Sequence, residues 1–432
     1  MRLNKCRIGD YIKDVASGPF GSNLKVECFV PSGFPIIDGA NLTGVRVTDN
    51  ITKFVTEAKA RSLSRSIAKR HDVIVTISGT LGQISYIPND SKYEEYLCSQ
   101  RQFRVTFDES KVCVEYLVNL LRTPYGQRKI LAFANYVGVP ALAQPIPNFK
   151  NIEVYLPDLP TQLRIAGVLG SIDEKIELNR KKIAELEALA KTIYDYWFVQ
   201  FDFPDANGKP YKSSGGKMVW NEQLKREVPE GWKGWSIAKC GHFHRGVSYS
   251  KQDEVDHASD SISVYRGNNI ANGFVVHDSN EVFIPKGMVG KEQILHCGQV
   301  LIAMSSGSKD HVGKAGLVTR SFPACAFGAF CSAFEPYDIY RCIIYNFFRS
   351  STYRSYIKQI CSGTGINNLK IDHLETDLFA VPEGEGLIEM FNAIQHPIYD
   401  QIVRLDEECA TLQETRDYLL PLLMNGQVEV AG

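Results

Sequence analysis

The chain carries the same pattern twice. Gly39-Ala40-Asn41-Leu42-Thr43-Gly44 returns as Gly267-Asn268-Asn269-Ile270-Ala271-Asn272-Gly273, and Asp72-Val73-Ile74-Val75-Thr76-Ile77-Ser78 returns as Gln299-Val300-Leu301-Ile302-Ala303-Met304-Ser305. Arg122-Thr123-Pro124-Tyr125 is echoed by Ser350-Ser351-Thr352-Tyr353, and Asn148-Phe149-Lys150 with Leu156-Pro157 by Asn368-Leu369-Lys370 with Val381-Pro382. An ordered series, most of it at a spacing of about 226–229 residues within 432, means two related modules, each followed by a tail. Two copies of one module in one chain are expected to sit about a pseudo-two-fold axis.

Within a module the signals are mixed. Short β-rich runs such as Asp72 to Ile77 and Val300 to Met304 end in Ser/Gly turns and read as buried strands entering loops. Stretches such as Glu115 to Leu131 and Ile339 to Ile360 carry helical periodicity. The modules are therefore α/β or α+β. The basic run Lys59-Ala60-Arg61, Arg65, Lys69-Arg70 reads as an amphipathic helix with a solvated face, phosphate contact being the alternative.

The tails read more sharply. Apolar residues step by threes and fours through Leu169, Ile172, Ile176, Ile183, Leu186, Ala190, Ile193 and Trp197, with polar Asn179 on the same line. The second tail runs Phe391, Gln395, Ile398, Ile402, Leu405, Cys409, Leu412, Arg416, Leu419, Leu423. That is the seam of a coiled coil, and two such helices in one chain are expected to pair with each other, antiparallel. Asn179 either fixes their register or is a tolerated defect. About 35 helical residues at about 1.5 Å each span about 50 Å, a rigid spacer suited to two DNA sites a little over one turn apart. The expected organisation is a first module over 1–157, a long helix over 158–200, a linker over 201–230, a second module over 231–382 and a second long helix over 383–432.

Charge separates the parts. The whole chain has a net charge of −1, yet residues 1–157 hold 20 Lys+Arg against 14 Asp+Glu, and 383–432 hold 2 against 10. A polyanion partner for the first module follows. Eleven scattered cysteines without paired spacing, no signal peptide and no apolar run long enough to cross a bilayer predict a reduced, cytoplasmic protein without a membrane.

Several catalytic readings fail on the residues. No cofactor-binding Gly-rich turn and no Asn/Asp-Pro-Pro-aromatic loop support a methyltransferase. Gly307 to Gly313-Lys314 has one residue too many for a phosphate loop and Ala315 where Ser/Thr should hold Mg²⁺. Cys240, His242 and His244 lack a second cluster at zinc-finger spacing and fit strand alternation better. Neither a catalytic residue nor a bound cofactor or metal is expected in this chain.

The region joining the copies is the most distinctive. Pro157-Asp158-Leu159-Pro160-Thr161-Gln162, the heptads, Tyr194-Asp195-Tyr196-Trp197-Phe198, Phe201-Asp202-Phe203-Pro204, Gly208 to Met218 and Val228-Pro229-Glu230-Gly231-Trp232 resemble the central region of type I restriction-modification DNA-specificity subunits. The resemblance extends over the whole chain in its order of module, helix, module, helix. It implies a non-catalytic subunit whose modules each read one half of a split double-stranded DNA sequence, with the helices setting the unread gap. It implies two methyltransferase (modification) subunits as partners, which bring the S-adenosylmethionine, and two motor-nuclease (restriction) subunits that can join them. A coiled-coil scaffold that binds no DNA is the alternative.

Sequence-specific readers combine small turn residues, whose backbones approach closely, with cations and aromatics. On that ground the DNA-contacting candidates are Phe20, Ser22, Asn23, Lys25, Ser78, Thr80, Gln100, Arg101 and Tyr136 in the first module. In the second they are Arg245, Ser248, Tyr249, Lys251, Ser306, Ser308, Lys309 and Thr364.

Overall fold

The computed structural model describes residues 2–277, 281–308, 310–319, 325–361, 368–376 and 378–430. Contacts divide the chain into two compact units, Met1–Ile176 with Thr411–Gly432, and Glu177–Ala410.

In the first unit the run Val73–Thr76 is buried on both faces and forms an inner strand. An antiparallel four-stranded sheet runs Ile12–Ser17, Gln102–Phe107, Val73–Thr76, Ile84–Tyr86 in spatial order, with Gln102 opposite Thr76 and Phe103 opposite Ser17. A five-stranded sheet, in the order Phe29–Val30, Phe54–Val55, Phe34–Ile37, Glu95–Cys98, Ile67–Lys69, contains a parallel step at Ile36 opposite Leu97. Val73, Val75 and Phe103 share one core with Leu117 and Leu121 of the helix Val114–Arg122 and with Ile165, Leu169 and Leu423 of the long helices. Asn4–Arg7 closes the module by pairing with Glu153–Leu156.

The second unit repeats the plan with a six-stranded and a three-stranded sheet. Its six-stranded sheet runs Gly241–Arg245, Cys331–Pro336, Val300–Ala303, Ala315–Leu317, Phe274–Val275, Ile270–Ala271, and a three-stranded sheet runs Val282–Pro285, Ser261–Tyr265, Cys325–Phe327. Trp232–Ser236 pairs with Leu378–Pro382 as the closing ladder.

The duplication extends to individual hydrogen bonds. The amide of Asp38 donates to Asn41 Oδ1 at 3.0 Å and that of Arg266 to Asn269 Oδ1 at 2.9 Å. Asn41 Nδ2 then donates to Thr48 O, and Asn269 Nδ2 to Val276 O. Leu142 N donates to Ile77 O at 2.8 Å, and Leu369 N to Met304 O at 2.7 Å. Each expected helical stretch is broken once, at Thr123-Pro124 and at Ser350. The break has a local cause in both copies: a hydroxyl there accepts from the amide of Gly126 or of Tyr353 and starts a new helix.

Two long helices span Leu159–Tyr194 and Glu385–Met424. They run antiparallel: in the second unit Asn179 Nδ2 donates to Glu408 Oε2 at 2.7 Å and Gln395 Nε2 to Ala190 O at 3.0 Å. In the first unit Arg416 pairs with Asp173 at 2.9 Å.

Two expectations change. The stretch 201–230 is folded rather than slack. Phe203 stacks between Tyr211 and Trp232, Asp202 accepts from Ser213 N and Oγ, and Met218–Asn221 forms a hairpin with Arg226–Pro229. Its aromatics bury enough area to order the Gly/Lys/Ser-rich turns between them. The basic run 59–70 is not one helix either. The helix Glu57–Ser62 ends where Ser62 Oγ donates back to Lys59 O, and a strand Ile67–Lys69 follows. Residues 67–69 are drawn into that strand because Ile67 and Ala68 complete a buried sheet.

All eleven cysteines are unpaired, and no helix among the described residues is long and apolar enough to cross a membrane.

Candidate nucleic-acid interface

In the first module four turns meet at one end of the four-stranded sheet. Gly18 lies so close to the opposite chain that a Cβ there would fall 1.9 Å from Ser99 O, and its amide donates to Gln102 O at 2.7 Å. This contact holds the short turn Gly21–Asn23 against Gln100, whose Oε1 would lie 2.7 Å from a Cβ on Gly21. Ser22, Asn23 and Lys25 are exposed there, and Phe20 is 82% exposed. The next turn is fixed from two sides: Ile77 N donates to Arg101 O at 2.7 Å, and Gly79 N to Pro140 O at 2.9 Å. Gly79 has φ +92°, a conformation costly for any side chain, and the Arg101 guanidinium lies beside it, Nη1 3.6 Å from where a Cβ would sit. Ser78 bridges Ala141, which brings in the hairpin Ala134–Asn135/Ala141–Leu142 with Tyr136 at its tip. Phe20, Ser22, Asn23, Lys25, Ser78, Thr80, Gln100, Arg101 and Tyr136 thus belong to one surface. Its exposed Val26, Val137 and Val139 escaped sequence reasoning, which searched turns for polar and aromatic side chains.

In the second module a concavity of about 710 Å³ gathers Ser248, Tyr249, Lys251 and Ser306. Its floor is built as in the first module. A Cβ on Gly246 would meet Gly328 O at 2.2 Å, and Met304 N donates to Phe330 O at 2.8 Å. Arg266, His311, Lys314 and Phe330 also line it and were not anticipated. They come from separate turns that only the sheet order brings together; Glu254 borders it as well. Arg245 and Ser308 are exposed outside the lining, and Lys309 and Thr364 lie outside the described residues.

The electrostatics separate structural cations from available ones. Arg61 pairs with Glu57 and Glu95, Lys69 with Glu95, and Arg104 with Asp14, so these cations are held inside the first module. Lys25, Arg101, Arg245, Lys251 and Lys314 carry no ion pair among the described residues. Burial pushes the Tyr249 phenol above its ordinary range while the Arg266 guanidinium draws it back, so it stays protonated and can donate. Such a surface can bind phosphates through cations and backbone amides and meet base edges with Arg, Tyr and hydroxyls.

The three residues weighed as metal ligands face different partners. Cys240 is buried, and burial pushes its thiol up to about 12. His242 meets Tyr337 Oη at 2.9 Å and His244 meets Glu335 at 2.8 Å. Gly313-Lys314 leads into a strand, Ala315–Leu317, and not into the helix whose N-terminus a phosphate loop requires.

Residues 32–188 match the model of the type I restriction modification DNA specificity domain. The specificity subunit of the type I restriction enzyme MjaIX of Methanocaldococcus jannaschii is 23% identical over 433 residues, covering 97% of this chain and 93% of that one. The specificity subunit of the type I enzyme EcoKI of Escherichia coli is 30% identical over 207 residues, covering 47% of this chain and 44% of that relative, so this match spans under half of either. In fold, the chain is similar to the S subunit of a type I restriction-modification system from M. genitalium, at a TM-score of 0.57 and 16% identity over 98% of this chain and 96% of that one. Two modules on one plan, two long antiparallel helices and these likenesses together make the chain similar to the specificity subunits of type I restriction-modification systems.

Proposed function

We propose that the chain reads a bipartite double-stranded DNA target, one half with each module, for a cytoplasmic type I complex. Two methyltransferase subunits dock on it and supply the S-adenosylmethionine chemistry, and two motor-nuclease subunits join when the complex restricts. The observation that carries this reading is the pairing of a repeated backbone with unrepeated side chains. Hydrogen bonds at 77/304, 41/269 and 142/369 recur, whereas the turns that they hold present Arg101 and Gln100 in one module and Phe330 and Ala329 in the other. A scaffold that only held proteins together has no need of two different loop sets on one frame. A reader of an asymmetric split sequence does.

The test is single-molecule methylation sequencing of DNA from a strain that carries the gene with its methyltransferase partner, compared with the same strain after deletion. A split motif of two short halves about a fixed gap should vanish on deletion. A methylation pattern unaltered by deletion, with the methyltransferase subunit demonstrably expressed, would favour the scaffold instead.

A further inference from the structure

Resting on the reading of the chain as a DNA-specificity subunit, we infer that one backbone position, occupied by Arg101 in the first module and Phe330 in the second, is a base-reading position in both half-sites, selecting guanine in one and thymine in the other. The equivalence is geometric. Each residue's carbonyl accepts from the amide at the end of the central strand, Ile77 to Arg101 at 2.7 Å and Met304 to Phe330 at 2.8 Å. Each lies in a turn closed by the next hydrogen bond, Gln102 N to Ser99 O at 3.2 Å and Cys331 N to Gly328 O at 2.8 Å. Each turn is pressed against a glycine, Gly18 or Gly246, that no larger residue could replace without collision. The strands that follow, Gln102–Phe107 and Cys331–Pro336, pair with the same partner strand of their module at Thr76 and Ala303.

A backbone position held this firmly presents its side chain in a fixed direction, as discrimination between bases requires. Arg101 is exposed and has no ion-pair partner among the described residues, and its guanidinium lies over a residue with no side chain of its own. That leaves the planar fork free for O6 and N7 of a guanine. Phe330 is 71% exposed and borders the same concavity as Tyr249. A rigidly held, exposed ring can offer a duplex only an apolar contact, and in the major groove the apolar group is the thymine methyl.

The experiment is selection from a random-sequence duplex pool by the full chain assembled with its methyltransferase subunit, followed by sequencing of the bound fraction. Arg101→Ala should lose about tenfold or more of a guanine preference at one position of one half, with the other half unaltered. Phe330→Ala should lose a thymine preference in the opposite half only, and Phe330→Arg should replace it with guanine. The untouched half in each variant shows that the protein has folded. The inference is overturned if Arg101→Ala and Phe330→Ala enrich the wild-type motif with affinity lowered equally for all sequences, or if both act on the same half. A wild-type complex that enriches no motif would instead overturn the DNA-specificity reading on which the inference rests.

Discussion

Gly18 and Gly246 each let a strand end run against a carbonyl at a distance that excludes a methyl group, 1.9 Å to Ser99 O and 2.2 Å to Gly328 O from an added Cβ. Both obstacles are backbone, so neither can swing aside as the end of a side chain would. Gly18→Ala and Gly246→Ala should each cost about 1–3 kcal/mol, read as a lower denaturant midpoint for the unit that carries the substitution. A change below the error of the measurement would show that the turns are not held as described. Asp72 makes a different demand on its surroundings. Its carboxylate is buried, accepts from Lys69 N at 2.9 Å and from Thr106 Oγ1, and is raised above the ordinary 3.8, first by desolvation, with Arg104 opposing. A carboxyl raised in the folded state favours folding most when protonated, so its contribution declines as pH climbs from about the unfolded value through the folded one and is level above. Asp72→Asn should flatten that part of the stability-versus-pH curve in mildly acidic buffer, whatever it does to the absolute stability at neutral pH. Which turns carry the candidate site was legible from small residues beside cations and aromatics. Phe330 was not, because the repeat slips from 227 residues at 77/304 to 229 at 101/330, and only the shared hydrogen bond restores the match.

At the scale of elements, the long helices were the most readable part, since a seam spaced in threes and fours can bury only one face. Leu169, Ile176, Ile183 and Ala190 on one helix, and Phe391, Gln395, Ile398, Ile402 and Cys409 on the other, are all buried. Short strands were less readable: two- to four-residue segments such as Phe29–Val30 or Phe54–Val55 have no measurable period, and their order depends on partners far away in sequence. Residues 59–70 misled for the same reason, since a cationic face looks helical until a neighbouring strand claims part of it. Within the seam, Asn179 is fully buried, donates to Glu408 and lies beside the Cys409 thiol. A buried amide at such a place lowers stability and raises specificity, because parallel or intermolecular pairings would leave it without its acceptor. Asn179→Leu should therefore raise the thermal stability of the second unit, by about 1–2 kcal/mol, while allowing species larger than the monomer in light scattering. A destabilised variant that stays monomeric would mean that the hydrogen bond to Glu408 contributes more than the burial costs.

For the whole molecule, a net charge of −1 means that attraction to a polyanion cannot come from overall charge and has to be local. Ion pairing decides where. Arg61 and Arg104 of the first module are matched to Glu57, Glu95 and Asp14, whereas Lys25 and Arg101 at the turns have no ion pair among the described residues. Lys25, Arg245, Lys251 and Lys314 stay unpaired among the described residues, beside or within the two candidate surfaces. If each neutralises one phosphate, log K for specific DNA should fall with log salt at a slope of about −4 or steeper. Phosphate contacts and base contacts then separate experimentally. Lys25→Ala with Lys251→Ala should weaken binding to cognate and random duplexes alike and make the slope shallower by about 2. These lysines carry charge to the backbone, and the backbone is the same in every sequence. The measurement is a titration of the assembled complex on both duplexes between low and physiological salt. A double variant that keeps the wild-type slope, or that loses only the cognate affinity, would move the lysines from the phosphates to the base edges.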